Sequence, residues 1–145
     1  MLDNIEEHSI AKNVYLFAQY WPKINTCEVC ILDDGQGIFE SLKNAGRNVE
    51  NSEDALRKIL ETGLSAKTDF GDTKRATGIK NTRTALTNKE INGEFLIMSG
   101  DSIFLDSANH HEQFIKLTKY FWNGTIVVLR LTRPISQFNL YNYVK

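Results

Sequence analysis

The sequence predicts an α+β two-layer sandwich, a mixed and mostly antiparallel sheet with helices on one face. Three observations carry that expectation. Runs rich in branched and aromatic residues come in hairpin pairs, 14–21 with 27–33 and 94–99 with 102–105. Segments with helical spacing separate the pairs. A last apolar run, Thr125-Ile126-Val127-Val128-Leu129-Arg130-Leu131, follows the second hairpin and reads as a buried strand. Hairpins with helices between them bury one sheet face under one helical layer.

Taken in order, residues 2–12 have helical character, with Leu2, Ile5 and Ser9 on one side. Val14 to Trp21 reads as a strand, Pro22-Lys23-Ile24-Asn25 as a turn, and Cys27 to Asp33 as the returning strand. Residues 38–51 are polar and glycine-containing. Ser52 to Glu61 reads as a helix, with Ser52 as its cap, acids in its first turn, and Leu56, Ile59 and Leu60 as its apolar stripe. Gly63 is its expected terminator. Leu64 to Ala76 reads as a mobile loop, and Thr77 to Asn88 as a second helix. The second hairpin turns at Gly100-Asp101, residues 107–120 fit either state, and Asn123-Gly124 reads as the turn before the last strand.

The chain's 145 residues, 41% of them hydrophobic and 24% charged, suit one domain over 1–135 with a tail at 136–145. A domain of that size buries about 68% of its unfolded surface. With 17 basic and 18 acidic residues there is no basic footprint, so a nucleic-acid partner is not expected. No run approaches the ~20 apolar residues of a membrane span, so no membrane partner is expected either. The acidic start, Met1-Leu2-Asp3-Asn4-Ile5-Glu6-Glu7, lacks the order of a signal peptide, which points to the cytoplasm. The two cysteines, Cys27 and Cys30, lie three apart on a strand and therefore face opposite sides, which suits structural thiols rather than a shared metal.

Four groups of residues suggest chemistry. Asp33-Asp34-Gly35-Gln36-Gly37-Ile38 follows a strand directly; the glycines let a group approach the main chain, and a carboxylate there accepts a hydrogen bond from a ligand amine. Asn4 and His8 share one face of the first helix, and an Asn carboxamide oxygen suits Mg²⁺ that also binds phosphates. Lys67, and Lys74-Arg75-Ala76-Thr77-Gly78, make a basic loop running into a helix start, where amides attract phosphate. Gly124-Thr125 opens the last strand, with the Thr125 hydroxyl within reach of a ligand near Asp33.

The order of these pieces resembles the GHKL superfamily of ATP-binding domains, shared by histidine kinases, gyrase and MutL, and in particular stand-alone bacterial histidine-kinase-like ATPase domains. The resemblance covers almost the whole chain. It implies the Bergerat-type ATP-binding fold, with ATP and Mg²⁺ as ligands and a protein partner for the domain. Asp33 would hold the adenine amine, with Thr125 helping directly or through water, and Gly35 and Gly37 would pass close to the base. Asn4, with His8 beside it, would ligate Mg²⁺. Lys67, Arg75, Thr77 and Gly78 would lie by the phosphates, and residues of about 39–76 would form the ATP lid.

The chain departs from that pattern at two places. The acid or amide that family members place one helical turn before the Asn falls before Met1, so the chain reads as truncated in its first helix or as lacking the general base. Ala76 stands where a glycine is usual. The resemblance therefore implies nucleotide binding and leaves two outcomes open. The γ-phosphate is transferred or hydrolysed, or the domain is a non-catalytic nucleotide-sensing module. His110-His111-Glu112-Gln113-Phe114 looks like a phospho-acceptor box but follows the nucleotide boxes, so its histidines read as surface residues.

Overall fold

The structure, a computed structural model, describes residues 10–64, 78–89 and 91–132. These residues build a six-stranded sheet of order β1-β2-β6-β3-β4-β5, with three helices packed on it. The strands are β1 (Val14–Trp21), β2 (Thr26–Asp33), β3 (Glu94–Gly100), β4 (Ser102–Ser107), β5 (His110–Lys116) and β6 (Trp122–Thr132). The helices are α1 (Gly37–Asn44), α2 (Ser52–Thr62) and α3 (Gly78–Leu86). Every pairing among these strands is antiparallel, a simpler sheet than the mixed one expected.

The hairpin β1–β2 and the meander β3–β4–β5 are joined through β6, which lies between β2 and β3. That places the end of β2, where the Asp33 motif begins, beside the start of β6. The core occupies one face. Ile97 pairs with both Phe104 and Val127, and residues opposite one another share a face. These side chains and Phe95 pack with Leu42 of α1, Ala55, Leu56, Ile59 and Leu60 of α2, and Leu86 of α3. The opposite face carries Arg130 between Glu28 and Glu94, a cross-strand ion pair on each side at 2.9 Å. No helix among the described residues is long and apolar enough to cross a membrane.

The helices follow from local chemistry, with corrections to three expectations. Residues 38–51 are not an open polar stretch. Ile38, Phe39 and Leu42 recur at helical spacing, Leu42 is buried, and α1 closes where Gly46 takes φ +72°. Consequently the reading of 39–76 as a lid fails over its first half, because α1 and α2 pack into the core. The cap of α2 is Asn51, whose side chain accepts from the Asp54 amide, while Ser52 is buried against Gly100. Gly63 ends α2 in the left-handed conformation at φ 71°, as expected.

The segment 107–120 resolves into β5, an edge strand whose polar sequence hides its strand character. Asn123-Gly124 is not a turn before the last strand; both residues lie inside β6, which starts at Trp122. Opposite them β3 shifts register, Ser99 pairing with Thr125 and Gly100 with Trp122, so the two residues bulge. Cys27 and Cys30 are both unpaired thiols on β2, and an odd spacing puts them on opposite faces.

Candidate functional site

The bulge in β6 and the turn after β2 meet. Asp33 ends β2 with a side chain 1% exposed. Its Oδ1 accepts from the Gly35 amide at 2.9 Å, and the Thr125 amide donates to the same carboxylate. Burial pushes the Asp33 pKa above its ordinary value, the neighbouring Asp34 charge adds to the rise, and the two amide bonds oppose it. An ionised carboxylate has about four acceptor positions. Two amides leave capacity for a donor from a ligand.

The main chain around this carboxylate is packed too closely for side chains. A Cβ on Gly124 would overlap the Asp33 main-chain oxygen and lie 2.7 Å from its Oδ1. A Cβ on Gly37, which has φ +75°, would overlap the Asn123 oxygen and lie 2.9 Å from Ser99 Oγ. Both glycines are thus required by space, and Gly37 by conformation as well. Gly35 is buried beside them.

Two residues absent from the sequence reading complete the cluster. Ser99, 2% exposed, donates from Oγ to the Gly124 oxygen at 3.0 Å and accepts from the Ile38 amide at 2.9 Å. Trp122 donates its indole N–H to the Asp33 main-chain oxygen at 2.9 Å. A serine at the end of a strand and a tryptophan at the start of another carry no distinctive signal.

Asp34, next to Asp33 but exposed, has another task. Its carboxylate accepts from the Lys12 and Asn13 amides at 2.8 and 2.9 Å and from Asn13 Nδ2 at 2.7 Å. Those bonds, the Asn13 amide foremost, hold its pKa below the ordinary value. Asp34 therefore ties the start of β1 to the end of β2.

The structure brings together Asp33, Gly35, Gly37 and Thr125 of the expected site. Thr125 contacts Asp33 through its amide, where its hydroxyl was expected to serve a ligand. Gly78 opens α3, with nothing among the described residues within 4 Å of where its Cβ would stand. Arg83 fixes that helix: its Nε meets Asp106 at 2.6 Å, its Nη2 pairs with Glu112, and its guanidinium lies 4.7 Å from the Phe104 ring centre. Asn4, His8, Lys67, Arg75 and Thr77 lie outside the described residues. No protein-family model matches the chain, and no curated protein matches it.

Proposed function

We propose that this chain is an ATP-binding domain of the GHKL type, taking the adenine of the nucleotide at Asp33. One observation carries the reading: a buried carboxylate with spare acceptor capacity, walled by glycine main chain that admits no Cβ. A buried carboxylate with acceptor positions left over suits a ligand that offers an exocyclic amine. The carboxylate would supply the polar contact that fixes the ring's orientation.

The α+β sandwich, with α3 starting at Gly78, supports the same reading. The first turn of α3 carries main-chain N–H groups that suit phosphate oxygens. Asn4 would hold Mg²⁺ between the phosphates, and Lys67, Arg75 and Thr77 would meet their charge. Magnesium would supply charge neutralisation and a fixed phosphate geometry. Transfer of the γ-phosphate to a protein partner, hydrolysis, and ligand sensing all begin with this binding step. The reading places the chain in the cytoplasm, where ATP is plentiful.

The test is displacement of a fluorescent ATP analogue from the protein in the presence of Mg²⁺, with ATP and GTP as competitors. ATP is expected to displace it and GTP to compete poorly, because guanine turns a carbonyl oxygen where adenine turns its amine. Equal competition by GTP, or no binding of the analogue by folded protein, contradicts the assignment.

A further inference from the structure

We infer that Ser99 is a positioning residue of this site, setting the separation between the glycine turn and the β6 bulge on which Asp33 depends. The inference rests on the nucleotide reading above and adds to it a residue that makes its contribution through main chain rather than by touching ligand.

The geometry is specific. The Ser99 hydroxyl donates to the Gly124 oxygen at 3.0 Å and accepts from the Ile38 amide at 2.9 Å. One side chain from β3 thus joins the residue after Gly37 to the residue before Thr125. Gly37 and Gly124 are the two positions at which a Cβ would collide with main chain across the gap. The Thr125 amide, the other end of the same peptide unit as the bonded Gly124 carbonyl, donates to Asp33. Ser99 also marks the last regular β3–β6 pair before the register shift.

Both bonded groups are main-chain atoms, one in a buried bond and one in a part-buried bond, and an unpartnered donor or acceptor away from water is costly. Without the hydroxyl, the turn and the bulge move apart or admit water between them. Either change displaces the amide that shares Asp33 with the ligand.

The experiment measures affinity for a non-hydrolysable ATP analogue with Mg²⁺, and melting temperature without ligand, on wild type, Ser99→Ala, Ser99→Thr and Ile59→Val. Ile59 lies in the core of α2 and serves as a destabilised control. Ser99→Ala is expected to bind at least about tenfold more weakly, Ser99→Thr within about threefold of wild type, and Ile59→Val unchanged. The inference is overturned if Ser99→Ala binds as wild type, if Ile59→Val loses as much affinity as Ser99→Ala, or if threonine fails to restore binding. Wild type that binds no analogue removes the nucleotide reading and this inference together. Wild type that binds, with Ser99→Ala binding equally, removes this inference alone.

Discussion

Trp122 donates its indole N–H to the main-chain oxygen of Asp33 at 2.9 Å, joining residues 89 apart in sequence. The bond fixes the start of β6 against the end of β2 and places one of the chain's two tryptophans beside the candidate site. Trp122→Phe is expected to cost about 1 kcal/mol in urea unfolding, the usual net worth of one such bond. In a Trp21→Phe background, Trp122 emission is expected to change on addition of ATP analogue. Unchanged emission at saturating ligand argues against a site at Asp33.

The glycines separate stability from binding. Gly93 and Gly124 are both closed to a Cβ by main-chain oxygens. At Gly93 those belong to Leu86 and Arg130, 2.7 and 2.8 Å away, and at Gly124 the obstruction is Asp33. Each Ala variant is expected to lose about 1–3 kcal/mol by overpacking. Only Gly124→Ala should also lose nucleotide affinity beyond that of wild type measured at the same folded fraction. Titrations on the two variants, each corrected for folded fraction, check the contrast.

The adjacent carboxylates titrate with opposite consequences. The Asp33 pKa is raised, chiefly by burial, so the folded state holds its proton more tightly than the unfolded state does. Stability from this group is present at low pH and declines as pH rises from about 3.8 through the folded pKa. The Asp34 pKa is lowered, so its stabilisation is present above 3.8 and lost as pH falls through the folded pKa. Asp33→Asn should remove the first dependence and Asp34→Asn the second, read from melting temperatures between pH 3 and 7 (a range of about four units). Nucleotide affinity of wild type should weaken on acidification at a higher pH than an ordinary carboxylate would give.

Arg83 joins α3 to β4 and β5 through Asp106, Glu112 and the Phe104 face. Its side chain is 14% exposed and that of Asp106 10%. Arg83→Ala leaves a nearly buried carboxylate unpaired and is expected to cost about 3 kcal/mol. Arg83→Lys should restore less than half, because an ammonium lacks the planar fork that meets two acids and stacks on a ring. Urea midpoints for the three proteins measure both effects.

The sheet was largely legible because β1, β2, β3, β4 and β6 carry apolar or branched residues in runs. β5 escaped because His110 to Lys116 is polar and mostly exposed, as suits an edge strand, and an exposed edge imposes no hydrophobic period. α1 escaped because its eight residues bury just one large side chain, Leu42, fully. Asn51 and Ser52 are equally good caps by composition; burial of Ser52 beneath Gly100 decides between them. Within the site, Asp33 and the glycines announced themselves through main-chain demands that only glycine meets. Ser99 did not, since a strand serine becomes informative only when register brings Thr125 opposite and the bulge brings Gly124 within reach.

The most direct measurement is calorimetric titration of a non-hydrolysable ATP analogue, with and without Mg²⁺, into wild type and Asp33→Asn. Wild type is expected to bind, more strongly with Mg²⁺, and Asp33→Asn to lose that binding while melting at or above the wild-type temperature near pH 7. Folded wild type that gives no heat of binding, or Asp33→Asn that binds as wild type does, contradicts a nucleotide site at Asp33.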